Sequence, residues 1–254
     1  MKQAIKRTLG FLLAALLMCG IAPLVASAAD VDITDKFTDP EFRWQVYVHI
    51  DKTESEPILD TDVAKVTELW VPWRGIQNLA GLEYFVNLQK LICPDNELTS
   101  LPALPSGLQE LICYSNMLTS LPALPSGLTT LDCYDNKLTS LPALPTGLVR
   151  LACWNNQLAA LPALPVSLRD LQCPYNKLTG FDLSPCRSLQ SLDCRYNDMT
   201  SKNAVKGFSR WDEGEYGMFK YEPQNVPQVT HFWDSWSPVM QWILRIFFFG
   251  WIWM

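Results

Sequence analysis

From Leu88 to Asn197 the apolar residues fall on a fixed grid, neither drifting with the period of a helix nor stopping after one strand. One copy of the phrase reads Leu121-Pro-Ala-Leu-Pro-Ser-Gly-Leu128-Thr-Thr-Leu131-Asp-Cys133-Tyr-Asp-Asn136-Lys-Leu138-Thr-Ser. Cysteines at 93, 113, 133, 153 and 173, and asparagines at 96, 116, 136, 156 and 176, set its period at twenty residues. A strict period of this size predicts stacked units, each of which must share its apolar face with its neighbours. Leu-x-x-Leu-x-Cys predicts a short strand whose alternate residues turn inward, and stacking such strands about 4.8 Å apart makes a parallel sheet. Leu98, Leu101 and Leu104, with their equivalents, fill the interior behind that sheet. Pro102 and Pro105 predict an extended back without helices, and Gly107, Gly127 and Gly147 are expected to let the chain turn into the next strand. The asparagine follows the strand at the bend, where an amide can both donate to and accept from the exposed backbone.

With each unit numbered from its first residue, the units begin at Val66, Leu88, Leu108, Leu128, Leu148, Leu168 and Leu189, seven in all. The first is degenerate, with Arg74 in the asparagine column, and the last follows a 21-residue step containing Phe181, Leu183 and Cys186. A solenoid needs its apolar ends covered, so residues 29–65 are expected as an N-terminal cap, 66–200 as the solenoid and 201–224 as a C-terminal cap with a last strand near Met218 to Glu222. Periodicity leaves Asp39 to Ile50 open between a helix and a strand. Asp51 to Asp60 has the alternating oxygens of a calcium loop but lacks its turn glycine, where Glu56 stands, so a polar cap loop is expected there.

The pattern Leu-x-x-Leu-x-Cys-x-x-Asn-x-Leu-x-x-Leu-Pro-x-Leu-Pro resembles a bacterial leucine-rich repeat over roughly residues 66–200. Its Leu-Pro-x-Leu-Pro element is similar to the short repeats of secreted bacterial effectors. The cap-plus-repeat layout, including Gly81-Leu82-Glu83-Tyr84-Phe85, resembles internalin-type and gut-bacterial surface proteins. The resemblance implies an α/β-type repeat solenoid, a horseshoe with its parallel sheet on the concave face, a helix-poor convex side and a cap at each end. It also implies partner binding, chiefly of proteins, on the concave sheet.

Charge and targeting change the picture at the ends. Residues 1–28 read as an export signal: Lys2, Lys6 and Arg7, an apolar run from Phe11 to Met18, then Ala26-Ser27-Ala28 as a cleavage site. Losing those three cations would carry the formal balance from −6 to −9, which argues against nucleic acid, whose phosphates need Lys and Arg. Residues 225–238 read as a polar linker. Val239 to Met254 is a run of sixteen residues carrying one charge, short of the length that spans a bilayer as a helix and suited to an interfacial or tilted membrane contact. An exported protein, extracellular or held at the cell surface, is the expected result.

The cysteine column suits buried thiols, because neighbouring strands hold their sulfurs well beyond bonding distance. Cys186 and Cys194 could pair, or Cys186 could fill an inward loop position. No metal or cofactor is expected. Nor is catalysis, since the only histidines, His49 and His231, lie in opposite flanks. Recognition is therefore assigned to the strand positions that vary: position five (Trp70, Asp132), position seven (Tyr114, Tyr134, Trp154) and position eight (Trp73, Asp135, Tyr175, Tyr196). Aromatics interleaved with acids resemble an interface, of which a protein is the expected partner and a glycan the other class. The competing accounts are that aromatics merely suit β-strands, and that the solenoid is an envelope spacer with no specific ligand.

Overall fold

A computed structural model describes residues 30–207, 219–222 and 224. The expected export signal, linker and hydrophobic C-terminal segment lie outside the described residues. The described residues from Val31 onward belong to one compact unit, and among the described residues no helix is long and apolar enough to cross a membrane.

Asp39-Pro40 decides the segment that periodicity left open. Asp39 caps helix α1 (Pro40–His49), accepting a 2.9 Å hydrogen bond from the Phe42 amide, and Pro40 takes the first helical position, where no N–H is needed. The second oxygen of the same carboxylate accepts from the Gln77 and Asn78 amides at 2.8 and 3.2 Å, tying the start of α1 to the first repeat. At the other end His49 Nδ1 lies 2.8 Å from the Gln45 carbonyl and Nε2 accepts from the Trp70 amide at 3.2 Å. Phe42 and Val46 of α1 are fully buried, and Phe37 packs against Phe42 and Phe85 with ring centroids 5.8 and 6.2 Å apart. Gly81 is required beneath them: its φ is 99°, and a Cβ there would lie 2.6 Å from the Phe37 ring. A one-turn helix, α2 (Asp60–Val63), completes the cap.

The repeats then supply strands β1 (Glu68–Trp70), β2 (Lys90–Ile92), β3 (Glu110–Ile112), β4 (Thr130–Asp132), β5 (Arg150–Ala152) and β6 (Asp170–Gln172). After them come β7 (Phe181–Asp182), β8 (Ser191–Asp193), β9 (Val205–Lys206) and β10 (Phe219–Lys220). All pairings are parallel, in the order β1-β2-β3-β4-β5-β6-β8-β10, with β7 and β9 forming a separate pair. Register never slips: Leu69, Leu91, Leu111, Leu131, Leu151, Leu171 and Leu192 align across the sheet and all are fully buried. No helix stands between β2 and β6 among the described residues. This is the expected leucine-rich repeat solenoid.

The sheet has eight strands, the seven of the repeats and the last strand expected near Met218 to Glu222, which is β10. Phe219 pairs with Leu192 and Lys220 with Asp193, which places Tyr221 in the cysteine column and Gln224 in the asparagine column. Tyr221 is buried, and Gln224 Nε2 donates to the Cys194 carbonyl at 2.9 Å while its Oε1 accepts from the Asn197 amide at 3.1 Å. A longer amide thus continues the ladder at its far end.

The asparagines staple each unit to the one before. Asn156 donates to the carbonyls of Cys133, Cys153 and Trp154 at 3.1–3.2 Å and accepts from the Leu138 amide at 2.9 Å. Asn96, Asn116, Asn136, Asn176 and Asn197 repeat the arrangement. Cys93, Cys113, Cys133, Cys153, Cys173 and Cys194 form a buried column of free thiols, and Cys186 is free as well, its sulfur 3.5 Å from the Pro165 carbonyl.

The chain turns at Gly107, Gly127 and Gly147 as expected, the Leu108, Leu128 and Leu148 amides each donating to the carbonyl of the proline three residues before at 3.1 Å. Gly107, Gly127 and Gly147 do not adopt a left-handed conformation, and a Cβ on them would meet nothing closer than 3.7 Å. The left-handed residue of each repeat is position eight: Trp73, Asp95, Ser115, Asp135, Asn155, Tyr175 and Tyr196, with φ between 51° and 57°. The sharp bend comes directly after the strand, one residue before the asparagine, and non-glycine side chains occupy it.

Candidate functional site

Inward burial of positions four and six leaves positions three, five and seven on the open face of the sheet. The nine residues singled out from the sequence fall into three groups there. Trp70 and Asp132 end strands and project from the open face. Tyr114, Tyr134 and Trp154 follow their strands at position seven. Trp73, Asp135, Tyr175 and Tyr196 lie beyond the strands, in the left-handed bend.

The middle group is one stack of rings. Tyr114 and Tyr134 have centroids 4.3 Å apart with planes 6° from parallel, and Tyr134 and Trp154 are 4.1 Å apart at 12°. The in-register strands impose this spacing, so Tyr134, the middle ring, spends both faces on its neighbours, while Tyr114 and Trp154 each spend one. Burial pushes both phenols up, with the Asp95 carboxylate adding to the effect at Tyr114 and the adjacent Tyr114 ring at Tyr134. Tyr175 and Tyr196 stack in the same way at 4.3 Å, and the Arg195 guanidinium lies 5.7 Å from the Tyr196 ring. Trp70 and Trp73 differ: they are 51% and 54% exposed, and no ring or guanidinium covers them among the described residues.

Around the rings runs a ladder of charge of which the sequence assignment named only Asp132; Lys90, Glu110, Arg150 and Asp170 lie at position three. Arg150 Nε donates to Asp132 at 2.9 Å and its Nη1 to Asp170. Gln172 then links Asp170 to Ser191 at 2.7 and 2.9 Å. Lys90 pairs with Glu110 at 3.5 Å and Arg195 with Asp193 at 2.7 Å. Asp132 is therefore anchored between strands. Burial raises its carboxyl above the usual range, and the Arg150 charge works against that rise. Asp135 accepts from Ser115 Oγ at 3.2 Å and from the Asn155 amide, bridging three successive bends. Positions three, five, seven and eight together hold seven carboxylates and three cations, so the face is acidic.

Among the described residues no group of three or more His, Cys, Asp or Glu side chains is placed to hold a metal ion. Each buried thiol of the cysteine column is pushed up by burial, to about 12 for Cys93 and Cys153, which suppresses the reactive thiolate.

A parallel sheet built from in-register repeats, an asparagine ladder and a helix-free back define a leucine-rich repeat solenoid. No protein-family model and no curated protein sequence matches the chain. Among solved structures it is similar to the leucine-rich repeat domain of a Shigella effector, with 27% identity, a TM-score of 0.51, and coverage of 63% of this chain and 69% of that one. It is also similar to YopM, a leucine-rich effector protein from Yersinia pestis, with 26% identity, a TM-score of 0.56, and 65% of this chain covered. The match spans 44% of the YopM chain.

Proposed function

We propose that this protein is an exported recognition module, held at the bacterial cell surface, that binds a protein partner through the open concave face of its solenoid. The observation that carries this reading is the placement of Trp73 and Tyr175. Both are large aromatics in left-handed backbone, φ 53° and 55°, with 54% and 40% of their surface exposed. A non-glycine residue there costs about 1–2 kcal/mol, and strand propensity cannot account for side chains that lie outside the strands. Exposed rings that add cost and recover only part of it through burial are the kind of residue an interface uses as an anchor.

The same geometry favours a protein over a glycan on this face. A sugar ring packs on an open aromatic face, and the central rings spend theirs on one another. Ring edges flanked by acids and amides suit protein side chains and backbone better. The experiment is capture of host-surface proteins on the immobilised full chain, compared with the double variant Trp73→Gly and Tyr175→Gly. A discrete protein retained by the parent and lost by the variant, with the thermal midpoint within a few degrees, is the expected outcome. Equal retention by both would overturn the assignment, and no specific retention by either would favour a spacer.

A further inference from the structure

Where the N-terminal cap meets the first repeat, Glu41, Arg43, Trp44, Tyr47, Glu54 and Arg74 line a groove of about 440 Å³, within the roughly 300–1,000 Å³ typical of small-molecule sites. We propose that this groove binds a neutral oligosaccharide, at a site separate from the concave face.

The first argument is charge. The groove carries two carboxylates and two guanidiniums, and none of the four makes an ion pair or a side-chain hydrogen bond among the described residues. The lining sums to zero, so it offers no net attraction to a phosphate backbone or a strongly charged peptide. It does offer forked donors beside two-oxygen acceptors. A vicinal diol donates and accepts at once and satisfies both kinds of group.

The second argument is the aromatic wall. Trp44 is 43% exposed, and the Arg74 guanidinium lies 5.6 Å from its ring centre. No other ring stacks on Trp44 among the described residues. An indole held in place with surface to spare can pack on the C–H face of a pyranose while the flanking polar groups bind its hydroxyls. Tyr134, stacked on both sides, cannot do this.

The third is rigidity. Asp39 ties the start of α1 to residues 77 and 78, and His49 ties its end to Trp70. Trp44 and Tyr47 on the helix are thereby fixed relative to Arg74 on the repeat, so little ordering cost remains for the ligand to meet. A second groove, lined by Lys65, Thr67, Asn87, Gln89 and Gln109, has no aromatic wall and only one charged side chain. It lacks both arguments.

The test uses the full chain and saturation-transfer NMR against a panel of neutral hexasaccharides: cellohexaose, maltohexaose, xylohexaose, mannohexaose and chitohexaose. Each is present at about 5 mM, above the weakest Kd of interest of about 1 mM, and titration calorimetry follows any signal. At least one sugar is expected to bind and to weaken tenfold or more in both Trp44→Ala and Arg74→Gln. The Trp73→Gly, Tyr175→Gly double variant should bind it as the parent does, so failure here and failure of the concave-face reading remain distinguishable. If Trp44→Ala melts early, Arg74→Gln and Glu54→Gln carry the result. No binding across the panel, binding unchanged in these variants, or binding lost instead in the concave-face variant would overturn the proposal.

Discussion

Replacing Asn156 by alanine removes one rung from the middle of the ladder. The side chain is 5% exposed, and its amide has two protons to share among three carbonyls while its oxygen accepts from Leu138. About three hydrogen bonds are lost, each worth roughly 0.5–1.5 kcal/mol, and the Leu138 amide is left buried with no acceptor, at roughly 1–3 kcal/mol more. The expected loss is about 3–5 kcal/mol, against a total stability on the order of 5–15 kcal/mol for a domain. Equilibrium unfolding in urea, followed by far-ultraviolet circular dichroism, measures it as a lower midpoint with an unchanged slope. Asn156→Asp sharpens the test. A carboxylate there would face three carbonyl oxygens, so the folded state would bind a proton more tightly than the unfolded chain. More protons on the folded form means stability falls as pH rises. The aspartate variant should therefore be worse than alanine at neutral pH and recover on acidification. A loss below about 1 kcal/mol for alanine, or no recovery for aspartate in acid, would refute the idea that these amides hold the units together.

Other expectations follow from the same geometry. Gly147→Ala should raise stability by about 0.4–1 kcal/mol, since its backbone is not left-handed and a Cβ meets nothing within 4 Å. Gly81→Ala should cost more than about 2 kcal/mol, because φ is 99° and the Phe37 ring lies 2.6 Å from the new carbon; the two denaturation midpoints must move in opposite directions. Tyr134→Ala should cost more than Tyr114→Ala by about 0.5–1.5 kcal/mol, one extra ring contact, as Tyr134 stacks on both sides. A pH titration should show alkaline unfolding: thiols that ionise near 9.0 in the unfolded chain are pushed up to about 12 at Cys93 and Cys153, so stability is full below pH 9 and declines through that interval, and a flat profile across it would contradict their burial.

The solenoid was legible because its determinants are columns, and a column repeats its evidence. Leu111, Cys113 and Asn116 each recur at the same spacing, so strand, core and staple could be assigned before the structure. The features that were missed are those where the column breaks or where conformation is not written in residue type. The eighth strand is legible as a strand near Met218 to Glu222, but its place in the columns is not, because Tyr221 and Gln224 replace cysteine and asparagine. Helix α1 was left undecided although Asp39-Pro40 is a start signal, because its apolar spacing alone is ambiguous. The asparagine column marks the sharp bend, but no residue type marks its left-handed backbone, because glycine is the residue that normally does. Here Asp, Ser, Asn, Trp and Tyr adopt it instead, held by hydrogen bonds such as that of the Ser115 amide to the Tyr134 carbonyl at 3.1 Å.

The left-handed bend separates two roles that the sequence had merged. Position seven belongs to the sheet: its rings stack at strand spacing, and part of their value is spent on holding strands in line. Position eight belongs to the bend, where the backbone is fixed by bonds from the next unit whatever the side chain. The Trp73 amide donates to Pro94 at 3.3 Å, and those of Asp95 and Asn155 donate to the Tyr114 and Pro174 carbonyls at 3.1 and 3.0 Å. The backbone at this position therefore accepts Trp, Asp or Tyr alike, and where the side chain is exposed and no ring stacks on it, as at Trp73, the column is open to variation by recognition. On that argument, exchanging position-eight residues between units should alter partner binding while leaving the melt nearly fixed. The same exchange at position seven should disturb both.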